Sequence, residues 1–534
     1  MHITLISADD EVWNSGMRSI SSTLREAGHQ TTMIFAGAPR VSINESMIRR
    51  IAALVGDSEI IGISSMSMGS ARAKTLIEGL RPLGRLIVWG GIHPTLLPED
   101  CTTHADLVCR GEGEGFMLDL AERVATGRGF ADIPNGAYLS NGRTILNDLR
   151  PLITDLDSLP LPDFAFENEY ILDPAGALLP NTKMRTYSWL ILSGSRGCSN
   201  ICTYCSNSEL KLMYKGKGRF VRKMSIPRFV AAAIEYRRLF PQVSFFFFTD
   251  EDFFARPVEE MRELAETYPN KVGIPFECMV SPRQINEEKV ALAAKAGMLQ
   301  IDVGLETGSE KIRREVFKRT VSNETQMQAA VAINRHARGS ALYFLILGNP
   351  YEERQDLLNG VRFLEKLPPP FSVRTYNLVF IPGTPLFDRA CQEGIIGGVG
   401  DCGSELDFLG GFDYRTHGWK KKNVYLNGLM SLMHGRSTRC VIGFVPRKMI
   451  PLLFAPRVVD FCDRHTQIGE AICVLARLRF RALRAAEFSI LRPLRLRMLK
   501  GKRKRREMRT QLSEGRSGQP APSRMKLIRG QFWL

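Results

Sequence analysis

Cys198, Cys202 and Cys205 fall within eight residues of the stretch "SGSRGCSNICTYCSN", Ser193 to Asn207, and no fourth cysteine or histidine stands beside them. Regular spacing next to Gly197 argues against three unrelated thiols, which would behave as small buried hydrophobes. Structural zinc takes four ligands, and a second paired half is missing here. Three thiolates can instead hold three irons of a 4Fe-4S cluster and leave the fourth iron open to a substrate or cofactor. In that chemistry the missing ligand is the reactive position.

A loop that presents such a group needs a rigid frame. From Thr186 onward the chain alternates strand-like runs, "WLILS", "VSFFFFT", "VGIPFECMV", "LQIDVGL", "ALYFLIL" and "VRTYNLVF", with helical patterns that include 226–240, 287–296 and 352–366. Six βα units predict a partial (β/α)6 barrel whose reactive face lies at the carboxyl ends of its strands. The three cysteines follow the first of these strands and so open onto that face.

Ahead of the barrel the chain is also α/β. The runs "ITLISA", "TTMIFA", "IIGISSM", "RLIVWGG" and "LVCRG" are separated by helical segments such as 16–27 and 69–83, which predicts a doubly wound parallel sheet. Ligands of such sheets sit beyond the carboxyl ends of the strands. The segments found there, "SADDEVWNSG", "SMSMGS", "GGIHPT" and "RGEGEG", are rich in small residues that let backbone approach a bulky ligand. None is a GxGxxG fingerprint, so a nicotinamide cofactor is not favoured. The expected organisation is 1–145 for this domain, 146–185 for a proline-rich linker, 186–395 for the barrel, and 396–534 for a mainly helical region ending in a basic tail.

The CxxxCxxC spacing, with Tyr204 just before the last cysteine, resembles the radical S-adenosylmethionine (SAM) signature. The first domain resembles the cobalamin-binding domain fused ahead of one radical SAM class, through "GGIHPTLLPED", "LVCRGEGEG" and the linker's "LPLPDF". The resemblance covers roughly residues 1–390. It implies a 4Fe-4S cluster on Cys198, Cys202 and Cys205, SAM chelating the open iron, and cobalamin on the first domain. It also implies roles for single residues. Tyr204 would stand beside SAM, Asp250 or Glu251 would accept from its amino group, Ser281 and Arg283 would meet its carboxylate or ribose, and Glu306 in "VGLETGS" would hold the ribose hydroxyls. Ser65, Gly90, Gly91, His93, Gly111 and Glu112 would line cobalamin. Asp-x-His-x-x-Gly, by which other cobalamin proteins supply a histidine to cobalt, is absent from residues 1–145; His93, beside Pro94 in a turn, is expected to bind backbone or a cobalamin side chain instead. Arg110, Glu112 and Glu114 could equally cap a helix starting near Glu114.

The activity this implies is C-methylation of an unactivated carbon in a small-molecule or lipid-like metabolite, with an electron donor such as flavodoxin or ferredoxin. A radical cyclisation or rearrangement, like that of the anaerobic porphyrin ring cyclases, is the alternative, and a non-catalytic iron-sulfur or cobalamin sensor a more distant one. A transfer RNA methylthiotransferase would need a second cysteine set, whereas the first domain has only Cys101 and Cys109.

Bulk properties fit an internal enzyme. Eleven cysteines are an odd number, and eight are scattered without a framework, which is reduced, cytosolic usage. "MHITLISADD" lacks a basic region and a cleavage site. The most apolar late segment, "VIGFVPRKMIPLLFAPRVV", is broken by Arg447, Lys448 and prolines. A cytoplasmic location is expected. Of the formal net charge of +16, +12 lies between Leu475 and Thr510, so electrostatic partners concern only the tail. A helix from Leu475 would set Arg477, Arg481 and Arg484 opposite Leu475, Leu478, Ala482 and Ala486, with Arg479 intruding and Pro493 ending it. The following "KGKRKRR" could be a solvated tail or meet anionic lipid surfaces; without interleaved aromatic residues it does not favour nucleic acid.

Overall fold

The computed structural model describes residues 1–9, 12–37, 42–401, 418, 422–437, 440–442, 445–446 and 450–486. Its first sheet begins with β1 (His2–Ser7), β2 (Gln30–Phe35), β3 (Ile60–Ser64), β4 (Leu86–Gly90) and β5 (Leu107–Cys109). These five pair in parallel in the order β5-β4-β3-β1-β2, with Leu5 opposite both Met33 and Gly62. The strands are apolar on both faces, as a sheet covered on both sides requires. Ile6, Ile34, Ile63 and Trp89 pack with Ile51, Leu76 and Ile77, on the helices Glu45–Val55 and Ser70–Leu80. On the other face Leu5, Met33 and Val88 pack with Leu24, Phe116 and Leu120, on the helices Ser15–Glu26 and Glu114–Ala125.

The sheet is wider than the alternating runs suggest. A hairpin of β6 (Gly136–Ser140) and β7 (Arg143–Leu146) extends one edge, and β8 (Glu169–Leu172) and β9 (Leu178–Pro180) extend the other, giving nine strands. β8 and β9 come from the segment expected as a linker. Arg18 explains how that segment is held: fully buried, it forms an ion pair of 2.6 Å with Glu169, donates to the carbonyl of Asp163, and stacks on Phe164.

The second sheet is the expected six-stranded one, all parallel and in chain order: β10 (Trp189–Leu192), then β13 (Phe245–Phe248), β14 (Phe276–Val280), β15 (Met298–Glu306), β16 (Ala341–Leu347) and β17 (Ser372–Asn377). β10 and β17 remain edges, so the barrel is open. Between β10 and β13 a short ladder of β11 (Ser195–Arg196) and β12 (Arg222–Lys223) brackets the cysteine loop. Phe246 and Phe248 of β13 lie in the barrel's core; Phe248 stacks on Phe276 at 4.3 Å and is fully buried. Truncating such a ring to Ala costs about 3–5 kcal/mol.

Beyond the barrel the helix Val424–Leu432 inserts Tyr425, Leu426, Leu429 and Met430 into the barrel's own core. The expected mainly helical region also carries a small antiparallel sheet of β18 (Met433–Ser437), β19 (Cys440–Ile442) and β20 (Val445–Pro446). The helix expected from Leu475 begins earlier, as Thr466–Ala486, because Ile468, Ile472, Cys473 and Ala476 give it an apolar face to bury. The expected helix end at Pro493 and the run "KGKRKRR" lie outside the described residues. No described helix is long and apolar enough to cross a membrane.

Candidate functional site

Two glycines deliver the chain from β10 into the cysteine loop. A Cβ on Gly194 would lie 2.5 Å from the Phe229 ring, and Gly197, at φ +84°, leaves no room for one beside the carbonyl of Phe220. The loop is then tied down along its length. Thr203 donates from N and Oγ1 to the carbonyls of Phe317 and Val316, Cys205 N donates to the Cys202 carbonyl, and Cys205 caps the helix Ser206–Met213. Asn200 and Asn207 turn their amides toward the sulfurs of Cys198 and Cys205. Burial pushes all three thiols up, Cys205 to about 12, so the thiolates need a bound cation to offset their desolvation.

The donor set suits a cluster better than zinc. Among the described residues, the one trio of His, Cys or acidic side chains whose ligand atoms all lie within 4.8 Å of one another is His93, Asp100 and Cys101. The three loop sulfurs are more widely spread, whereas tetrahedral zinc at about 2.3 Å per sulfur would draw them to about 3.8 Å of one another.

Beside the cysteines lies a compact polar group. Glu306 ends β15 in the left-handed region, φ +64°, after a register shift at Gly304. Held there, its Oε1 accepts from Arg319 Nη1 at 2.6 Å. The same guanidinium reaches the hydroxyl of Tyr204 at 3.4 Å and Ser281 Oγ at 3.4 Å. Burial opposes the charge on Arg319, but Glu306 and Tyr204 outweigh it and hold the guanidinium protonated. Burial and the Glu306 charge raise the Tyr204 phenol, which stays neutral. Asp252 Oδ1 accepts from Ser281 N at 3.1 Å, while its buried Oδ2 has no partner. Burial pushes this carboxyl up to about 7, against the pull of Arg319 and Lys289. An unsatisfied buried acceptor beside a paired Glu306 is the donor-poor arrangement that an ammonium or a ribose hydroxyl completes.

Of the residues expected at SAM, Tyr204, Ser281 and Glu306 come together here. Glu251, exposed at the strand end, faces the cysteines, and its charge adds to the burial that raises Cys198 and Cys205. Asp250 is buried on the strand end, accepting from Gly194 N at 3.1 Å and lying 3.9 Å from Arg256. The structure sets Arg283 apart, exposed and turned onto Thr320, because the short helical turn after Ser281 carries it outward. Arg319, rather than Arg283, is the guanidinium beside Tyr204, Ser281 and Glu306. Neither Arg319 nor Asp252 was marked by the sequence: Asp252 directly follows Asp250 and Glu251 in "TDEDFF", but no spacing connects "FKRTV" to the cysteines.

The strand-end loops of the first domain form a second concave edge at the switch point between β1 and β3. Ser65 accepts from Trp89 Nε1 at 3.0 Å and, through its backbone, binds Gly90 and His93. Gly91, at φ +104°, lies so close to Ser65 that a Cβ would sit 2.5 Å from its carbonyl oxygen. His93 is fully buried, 3.3 Å from Ser67 Oγ and 3.3 Å from Asp100 Oδ2, and burial lowers its pKa. Both ring nitrogens are therefore engaged within the domain. Lys74, 2.9 Å from Asp100, supplies the cation that the trio with Cys101 would otherwise seek. Gly111 donates from its N to Thr95 Oγ1, and Glu112 directs its carboxylate at Arg196 and Arg222 of the cysteine-loop ladder. The Glu112 side chain thus joins the two domains rather than the open edge.

Residues 1–121 match the B12 binding domain and residues 192–361 the Radical SAM superfamily. An uncharacterized methyltransferase of Pyrococcus horikoshii is 25% identical over 445 residues, 80% of this chain and 86% of its own length. The anaerobic magnesium-protoporphyrin IX monomethyl ester cyclase of Rubrivivax gelatinosus is 26% identical over 56% of this chain but only 53% of its own. Among solved structures, the radical SAM methyltransferase TsrM of Kitasatospora setae superposes with a TM-score of 0.59 at 14% identity, over 73% of this chain and 76% of that one, and shares the fold. The cofactor set of a 4Fe-4S cluster, SAM and cobalamin follows from the two matched domains. The chain belongs to the cobalamin-dependent radical SAM enzymes, in which a B12-binding domain precedes a radical SAM domain.

Proposed function

We propose that the protein is a C-methyltransferase that places a methyl group on an unactivated carbon of an apolar metabolite. The observation that carries this reading is the pairing of the cysteine loop with a strand-end loop of the B12-binding domain, which would bring both cofactors to one cleft. When bound, the cluster, SAM and cobalamin supply an electron, a hydrogen-abstracting group and a methyl carrier able to deliver to carbon. This chain's residues do the rest. Cys198, Cys202 and Cys205 hold the cluster; Glu306, positioned by Arg319, accepts from the ribose; Asp252 and Glu251 accept from the amino group; Tyr204 and Ser281 close the pocket. Gly90, Gly91 and Gly111 give cobalamin backbone to lie against.

A small cleft between the domains, of about 80 Å³, is lined by Met66, Met68 and Ile92 from one side and Val379, Phe380 and Ile381 from the other, with Ser67 and Ser206 beside them. No charged side chain lines it, so the portion of substrate it admits is hydrocarbon-like. The methyltransferase name of the archaeal relative supports the reading, and the cyclase relative keeps ring formation as the alternative. A flavodoxin or ferredoxin is the proposed electron donor. Contact with anionic membrane through the basic tail would bring the protein to a lipid-like substrate, and Val474, Leu475 and Leu478, exposed on the helix that leads into that tail, support it.

With the substrate in hand, methylation predicts product, S-adenosylhomocysteine and 5′-deoxyadenosine in about equal amounts. Deoxyadenosine without S-adenosylhomocysteine would replace methylation by the cyclase reading.

A further inference from the structure

Arg196 ends β11, one residue before Gly197 and two before Cys198. Its guanidinium leaves the radical SAM domain and forks onto two carboxylates of the "RGEGEG" loop that follows β5. Nη1 donates to Glu112 Oε1 at 2.9 Å, and Nη2 donates to Glu114 Oε1 at 2.5 Å and Ser19 Oγ at 3.3 Å. The acceptors are themselves braced. Glu112 Oε1 also takes Arg222 Nη1 at 2.7 Å, its Oε2 takes Ile153 N at 2.8 Å, and Glu114 Oε1 takes Ser19 Oγ at 2.7 Å.

The far side of the cysteine loop grips the same segment. Tyr214 follows the helix Ser206–Met213, accepts from Glu112 N at 3.2 Å, and lies so close to Gly111 that a Cβ there would stand 1.7 Å from its hydroxyl. The loop carrying the three cysteines is therefore clasped before and after by residues that hold one strand-end loop of the B12-binding domain.

Apolar packing alone would join two domains with less desolvation than this network requires. What a planar fork across two braced carboxylates adds is a fixed angle and distance. We propose that Arg196 is a positioning residue that sets the cluster loop in register with the cobalamin face, so that the two cofactors act on the same carbon. The proposal rests on the family assignment above and deepens the methyl-transfer reading.

The test uses full-length protein as apoprotein and as reconstituted holoenzyme, with Arg196→Lys, Arg196→Ala and Glu114→Gln. Glu114→Gln removes one carboxylate from the far domain and leaves the cysteine loop untouched. In the apoproteins, hydrogen exchange over residues 111–115 and 195–223 should quicken on the order of tenfold in all three, least in Arg196→Lys. In the holoenzymes, iron and cobalamin contents should stay within about twofold of the parent. The relaxation enhancement that the reduced cluster imposes on cob(II)alamin in electron spin resonance should fall, most in Arg196→Ala and least in Arg196→Lys. Deoxyadenosine made from SAM and reductant should persist in Glu114→Gln. Parental relaxation enhancement in all three variants would overturn the proposal. Loss of iron in both Arg196 variants with a silent Glu114→Gln would also overturn it, since Arg196 would then serve only its own loop. A parent that bound no cobalamin would overturn the family assignment and the proposal together.

Discussion

Glu306 and Arg319, 2.6 Å apart, form a pair whose loss can be read from either side. Glu306→Gln keeps the shape and removes the charge, so SAM binding should weaken by about 1.5–3 kcal/mol, on the order of ten- to a hundredfold, with iron content retained. Titration calorimetry would check this, and unchanged affinity would remove Glu306 from the site. Arg283→Gln, at an exposed side chain turned onto Thr320, should change SAM affinity by less than about 0.5 kcal/mol. A different residue-scale prediction concerns Glu352. It is almost fully buried, accepts from Thr307 Oγ1 at 2.7 Å with one oxygen and has no partner for the other; burial pushes it up to about 8. Because its folded pKa exceeds the unfolded one, the native state holds the extra proton between about pH 4.5 and 8, and stability falls across that window as pH rises, by up to about 1.4 kcal/mol per unit. Glu352→Gln carries no such proton, so its stability relative to the parent should climb from pH 5 to 8 in chemical denaturation; parallel curves would show that Glu352 ionises normally. At this scale the three cysteines were legible because their chemistry is written in local spacing. Arg319 was not, because only the return of the chain after β15 brings it to Tyr204, and an arginine in "FKRTV" looks like any solvated one.

At the scale of elements, the joint between the domains depends on a glycine with no room to spare. Gly111→Ala would place a methyl against the Tyr214 hydroxyl at φ +83°, so it should cost about 1–3 kcal/mol and loosen Tyr214 before it disturbs either core. Thermal unfolding together with Tyr214 fluorescence or exchange would show it, and a neutral effect would mean that the loops part easily. His93 belongs to the same edge. With both nitrogens engaged by Ser67 and Asp100, it should give cob(II)alamin no axial nitrogen splitting, and His93→Ala should leave the resonance unchanged; splitting lost in that variant would place it on cobalt. The strands of both sheets were legible because buried parallel strands are continuous apolar runs. β8 and β9 were hidden in a proline-rich stretch, since these short outer strands carry no such run and Glu169 enters the sheet only by pairing with Arg18.

For the whole molecule, the order of two domains carried the functional inference, and either alone would have left the chemistry open. Their joint could not be read in advance: Glu112 and Glu114 looked like helix-capping or ligand-binding carboxylates until the fold set Arg196 and Arg222 against them. The central claim is methyl transfer to carbon, and a labelling comparison tests it most directly. Cells fed methyl-deuterated methionine would make either the intact protein or Cys205→Ala, which retains the fold but cannot complete the cluster. The account predicts a metabolite, present only with the intact protein, that carries one additional methyl with all three of its hydrogens replaced by deuterium. A metabolite that differs between the two cultures yet gains no deuterium would contradict methyl transfer and leave a cobalamin-dependent radical enzyme of another kind.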